Sequence, residues 1–95
     1  MRYEFYLDAE SGQPHLYRHG VDESEVIEVF EDAGLRWHNA EGKWVLIGKT
    51  RSGRFLQVVY LVLEENPPAT FVITAYTPKR ELISAYRRHM KKRNR

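Results

Sequence analysis

The chain contains no cysteine, so disulfides, thiolate nucleophiles and sulfur-ligated zinc are all excluded. That absence fits a reducing compartment, and a cytoplasmic protein is expected. Long apolar runs are missing as well. The longest, Val58 to Leu63, is far too short to cross a bilayer. Met1-Arg2-Tyr3-Glu4-Phe5 opens the chain without the apolar core of a signal peptide. No internal repeat is visible, and bias is confined to the basic segment from Arg87. What is present is enough for one packed domain. The 95 residues are 42% hydrophobic and 13% aromatic, too apolar for disorder and too short for a second core. We expect a single domain over 1–95, with a basic tail from about residue 91.

Charge is divided along the length. Residues 1–40 carry nine acidic and three basic side chains, a net of −6. Residues 41–95 carry four acidic and twelve basic ones, a net of +8. The formal total of +2 hides this split. A basic half of this kind suits a phosphate-bearing partner, with the acidic half shielding it or recruiting a second partner.

Periodicity gives the elements. Tyr3, Phe5 and Leu7 alternate with Glu4, Tyr6 and Asp8, the period of a half-buried strand. Asp22 and Glu25 form a capping-box pattern, with Val21 and Val26 at the positions of a hydrophobic staple. The helix they open carries Val26, Val29, Phe30 and Ala33 as its apolar stripe, and Gly34 is its expected stop. Its other faces are acidic, with Glu23, Glu25, Glu28, Glu31 and Asp32. Residues 43–50, 54–63 and 69–77 read as strands joined by Arg51-Ser52-Gly53 and by Glu64 to Pro68. Phe55 to Leu63 is apolar on both faces apart from Gln57 and Tyr60, and so reads as central. Thr77-Pro78 predicts the cap and first turn of a helix through about Met90, burying Leu82, Ile83, Tyr86 and Met90. The order strand, helix, three strands, helix predicts an α+β domain with a twisted antiparallel sheet.

Three constellations could carry chemistry. Lys49, Arg51 and Arg54 crowd one tight turn, where an anion such as phosphate would offset their repulsion. A solvated turn also tolerates them. Lys79 and Arg80 oppose the helix dipole after Tyr76-Thr77-Pro78, yet suit an anion resting on that turn. The third set is His15, His19, His38, His89, Tyr60, Tyr76 and Tyr86, which can exchange protons when their surroundings allow it. His15 and His19 lie four apart, but Pro14 and Gly20 leave little helix to hold them as metal ligands. No metal and no cofactor are expected. Glu31 and Asp32 in the last turn of the acidic helix call for a basic neighbour, which Arg87, Arg88, Lys91 and Lys92 or an outside partner could supply.

The run His19-Gly20-Val21-Asp22-Glu23-Ser24-Glu25-Val26, leading into Val29-Phe30-Glu31-Asp32, resembles the opening of the BrnT-like toxins. Later landmarks keep the family order: Ile47-Gly48-Lys49, Gly53-Arg54, Val58-Val59-Tyr60, Ile73-Thr74-Ala75, Glu81 and Tyr86-Arg87. The chain is similar also to a related family of small uncharacterised domains with the same strand ending. The resemblance spans about residues 15–90. It implies a RelE/ParE-like fold with helices packed on one face of the sheet. It further implies a metal-independent endoribonuclease that halts translation and is neutralised by an antitoxin. One position departs from the pattern, Tyr76 standing where the toxins usually show Arg.

The resemblance places Lys49, Arg54 and Tyr86 at functional positions. Metal-free RNA cleavage needs a base, an acid and cations around the phosphorane. His19, Lys49, Arg54, Tyr76 and Tyr86 are the catalytic candidates. Arg51, Tyr60, Lys79, Arg80 and Arg87 are the candidates for holding RNA, with Tyr60 or Tyr76 available to stack on splayed bases. The expected partners are RNA or the ribosome and an antitoxin protein. The alternatives are an RNA- or ribosome-binding domain that does not cut, and a protein-interaction module.

Overall fold

The computed structural model describes residues 2–93. Its elements are β1 (Arg2–Phe5), a 3-10 turn (His15–His19), α1 (Glu23–Asp32), β2 (Leu35–His38), β3 (Trp44–Lys49), β4 (Phe55–Leu63), β5 (Ala69–Tyr76) and α2 (Arg80–Arg93). The domain is therefore α+β, as the element order predicts. Residues 94 and 95, the end of the expected basic tail, lie outside the described residues. The tail from 91 to 93 is helix, the last turn of α2.

The sheet has five strands in the order β1-β5-β4-β3-β2. It is mixed, a correction to the antiparallel expectation: β1 pairs in parallel with β5, Tyr3 opposite Thr70 and Phe5 opposite Val72. The remaining pairs are antiparallel. The reason is connectivity. From β1 on one edge the chain crosses through the 3-10 turn and α1 to β2 on the other edge. It then returns by successive hairpins, so β5 arrives beside β1 running in the same sense.

The capping box forms in full. Glu25 N–H donates to Asp22 Oδ1 at 2.9 Å, and Asp22 N–H donates to Glu25 Oε1 at 3.1 Å. Val21 and Val26 are both buried in the core cluster. The helix ends one residue before the expected glycine. Ala33 takes the left-handed conformation, with φ 50°, while Gly34 serves close packing. A Cβ on Gly34 would lie 2.1 Å from the Ile47 carbonyl oxygen and 2.8 Å from the Tyr86 ring. Gly48 lets α1 down onto the sheet in the same way, since a Cβ there would meet Val29 Cγ1 at 2.7 Å.

The helices cover opposite faces, a second correction. Side chains alternate along a strand. Leu46, Leu56, Val58, Tyr60, Val72 and Ala75 point toward α1 and pack with Val26, Val29 and Leu16. Phe55 points the other way and meets Tyr86 of α2, ring centroids 5.5 Å apart. A central strand apolar on both faces needs a cover on each, and one helix cannot supply both.

β2 goes beyond the sequence expectation. Leu35 and Trp37 are half-buried while Arg36 and His38 are exposed, an alternation too short to stand out in the sequence. α2 begins later than Thr77-Pro78 predicts. Lys79 is its cap, its carbonyl accepting from the N–H groups of Leu82 and Ile83 at 3.0 and 3.2 Å. Among the described residues no helix is long and apolar enough to cross a membrane.

Candidate nucleic-acid interface

The hairpin between β3 and β4 carries Lys49, Arg51 and Arg54, and α1 lies against it. Two of the three cations already have partners inside the protein. Arg54 Nη1 donates to the Gly20 carbonyl at 2.8 Å and pairs with Glu25 Oε2 at 3.1 Å. Its Nη2 reaches the His19 carbonyl at 3.4 Å. Arg51 pairs with Glu31 at 2.8 Å, and its own N–H donates to Glu28. Both Arg51 and Glu31 are exposed, so that ion pair is weak. The acidic stripe of α1 thus offsets the crowding on the turn, and no outside anion is required to do so.

Lys49 behaves differently. Its backbone N–H donates to Asp32 Oδ2 at 3.1 Å, but its ammonium group has no carboxylate partner among the described residues. It lies 5.9 Å from the centre of the Phe55 ring, and the guanidinium of Arg87 lies 5.2 Å from the same ring. Phe55 therefore holds two cations from separate elements, β3 and α2, by attraction to its ring face. In the sequence Phe55 shows only as a strand residue. The signal available was its place in the turn-following run Arg54-Phe55, with Lys49 opposite it across the hairpin.

Tyr86 belongs to the same neighbourhood with a structural role. Its hydroxyl donates to Asp32 Oδ2 at 2.7 Å, and the residue is buried. Burial, then the hydrogen bond and charge of Asp32, push its pKa up to about 12. A hydroxyl that holds its proton this firmly is poorly suited to proton transfer near neutral pH.

A second group lies around the end of β5. The His19 ring stands edge-on to Tyr76 at 5.7 Å and to His15 at 5.6 Å. His15 Nδ1 is 2.8 Å from Asp8 Oδ1, and Arg18 Nε donates to Asp8 Oδ2 at 2.7 Å. Those two contacts, the His15 hydrogen bond first, hold the Asp8 carboxyl below its usual range. The Tyr76 hydroxyl accepts from Gln57 Nε2 at 3.1 Å. In the sequence Gln57 stands out only as a polar exception in the central strand.

The structure thus brings His19, Arg54 and Tyr76 to one place, and Lys49, Tyr86 and Arg87 to another. Arg54 turns to α1 and its neighbour Phe55 to α2. Tyr60 joins neither group. It is buried beneath Phe30 and Trp44, with ring centroids at 4.9 and 6.5 Å. Lys79 and Arg80 are exposed at the start of α2. Among the described residues no group of three or more His, Asp or Glu is placed to hold a metal ion.

The free cations are concentrated on one element. Lys79, Arg80, Arg87, Arg88, Lys91 and Lys92 of the α2 region, together with Lys49, have no carboxylate partner among the described residues. Arg93 is engaged, donating to the Ala33 carbonyl at the end of α1. The basic neighbours at the end of α1 are Arg93, on the Ala33 carbonyl, and Arg51, on Glu31, rather than the expected Arg87, Arg88, Lys91 and Lys92. Comparison with protein-family models, with curated proteins and with solved structures finds no match in any of the three.

Proposed function

We propose that the protein binds RNA through the cationic face formed by α2 and Lys49. The observation that carries this reading is the contrast between the two sets of cations. Arg51 and Arg54 are matched to α1, while Lys49 and the α2 cations other than Arg93 have no carboxylate partner among the described residues. Release of counterions when such cations meet phosphates drives association and makes it depend on salt. Phe55 holds both Lys49 and Arg87 against its ring, so less side-chain freedom is lost when either meets a phosphate backbone.

The motif order that resembles the BrnT-like toxins supports a further step. On that reading the fold is RelE/ParE-like, the RNA is free or ribosomal, and an antitoxin competes for the same cations. A second reading, cleavage, rests on the His19–Tyr76 contact beside Arg54. There the His19 ring meets Tyr76 edge-on and the Arg54 guanidinium reaches the His19 carbonyl, while Tyr86 keeps a structural role.

The test is fluorescence anisotropy of a labelled single-stranded RNA across a salt series. Each phosphate contact removed should lower the slope of log affinity against log salt by about 0.7. Lys49→Gln with Arg87→Gln should flatten that slope, and Arg51→Gln should leave it unchanged. Equal slopes for all three proteins would overturn the assignment. Cleavage is checked on the same RNA by gel. Loss of cutting in His19→Ala with the salt slope kept supports it, and an intact RNA with and without ribosomes overturns it.

A further inference from the structure

On the α1 face of the sheet, away from α2, lies a cavity of about 450 Å³. That volume falls within the range of small-molecule sites. Phe30, Trp44 and Tyr60 line it together with Pro67, Arg2 and Arg36. The aromatic walls are held by one another. Tyr60 meets Phe30 edge-on at 4.9 Å and lies nearly parallel to Trp44, and the His38 ring backs Trp44 at 4.1 Å. The lining is predominantly apolar, and both of its charged side chains are arginines.

The two arginines differ in a way that selects a ligand. Arg2 is already engaged, pairing with Glu4 at 3.0 Å and with Glu65. Arg36 projects from the edge strand β2 and has no carboxylate partner among the described residues. One unmatched guanidinium at the rim of an aromatic cavity fits one carboxylate, which it can grip with two parallel hydrogen bonds. A doubly charged phosphate would need a second free cation, and Arg2 is committed. Aromatic and proline walls favour a flat ring over an aliphatic chain, because rings add edge-to-face contacts to their burial. We propose that this cavity binds an aromatic carboxylate of one or two rings, with the ring against Trp44 and Tyr60 and the carboxylate on Arg36. The site is separate from the proposed RNA surface, since Trp44 and Phe55 point to opposite faces of the sheet.

The chain has two tryptophans, and they report on opposite faces. Trp44 pairs with His38 in the β2–β3 register, and Trp37 with Val45. Nitrogen-15 labelled protein titrated with 2-naphthoate should therefore show a saturable shift of the Trp44 indole N–H signal with the Trp37 signal still. The neutral isostere 2-naphthamide should bind at least about tenfold more weakly, the effect of losing a charge-assisted hydrogen bond. Arg36→Gln should weaken naphthoate by a similar factor and bring it level with the amide, and an unmoved Trp37 signal reports that the variant is folded. Absence of a Trp44 shift, equal affinity for acid and amide, or equal shifts at both tryptophans would overturn the proposal. Displacement of naphthoate by the RNA would overturn the separation of the two sites.

Discussion

The hydroxyl of Tyr86 on α2 donates to Asp32 Oδ2 on α1, 2.7 Å away, and so joins two helices that cover opposite faces of the sheet. The same carboxylate oxygen accepts the backbone N–H of Lys49 at 3.1 Å. One oxygen thus ties α1, α2 and the end of β3 together. Tyr86→Phe keeps the ring between Gly34 and Phe55 and removes only the donor. It should cost about 1.5–3 kcal/mol, the usual worth of a hydrogen bond to a charged group, measured by chemical denaturation.

The pH dependence of that contribution has a definite sign. In the unfolded chain Tyr86 releases its proton near the ordinary tyrosine value of 10.0, while the native state holds it to about 12. The stabilising contribution is complete below pH 10 and fades as pH rises toward 12. Over that window the native protein should lose of order 2–3 kcal/mol relative to Tyr86→Phe. Parallel denaturation series for the two proteins from pH 8 to 12 would read this, and curves that stay parallel would argue against it.

Glu25 has two duties, closing the capping box with Asp22 and pairing with Arg54. Asp22→Ala should lower stability by ~1 kcal/mol through loss of the cap. Arg54→Gln should be more damaging than Arg51→Gln, because Arg54 also satisfies the Gly20 and His19 carbonyls. A double-mutant cycle on Glu25 and Arg54 isolates the ion pair. A coupling of zero would show that Arg54 acts only through those carbonyls.

Two glycines should be intolerant of even one methyl group. In Gly48→Ala the new Cβ would press on Val29 Cγ1 at 2.7 Å, a side-chain overlap expected to cost about 1–3 kcal/mol. Gly34→Ala should be worse, since its Cβ would overlap the Ile47 carbonyl oxygen, a backbone atom in the β2–β3 pair. Thermal melts of the two variants should rank them in that order.

The elements with strong local signals were legible in the sequence. Asp22 and Glu25 mark the start of α1 through their own side chains, and β3 to β5 differ from the expected ranges by a residue or so. What escaped depends on long-range partners. Leu35 to His38 is too short to show its period before Trp44 to Ile47 is known to lie beside it. The parallel β1–β5 pair joins residues that have no local relation. The candidate site was legible by residue type and misleading in electrostatics. Three cations on one turn look unmatched until α1 folds back and gives Arg51 and Arg54 to Glu31 and Glu25. Sign along the chain says nothing about pairing in space, so the free cations of α2 emerge only once the paired ones are removed.

The parallel pairing of β1 also has a consequence for the order of assembly. Arg2 lies opposite Ala69 and Phe5 opposite Val72, so β1, made ahead of the other strands of this sheet, has no partner until β5 has followed it. The hairpins from β2 to β5 close over short loops and can form early, whereas β1 must wait for a closure spanning much of the chain. Its apolar residues Tyr3 and Phe5 stay open to other partners during that interval. Synthesis therefore sets the longest delay on the strand of this sheet that is made earliest.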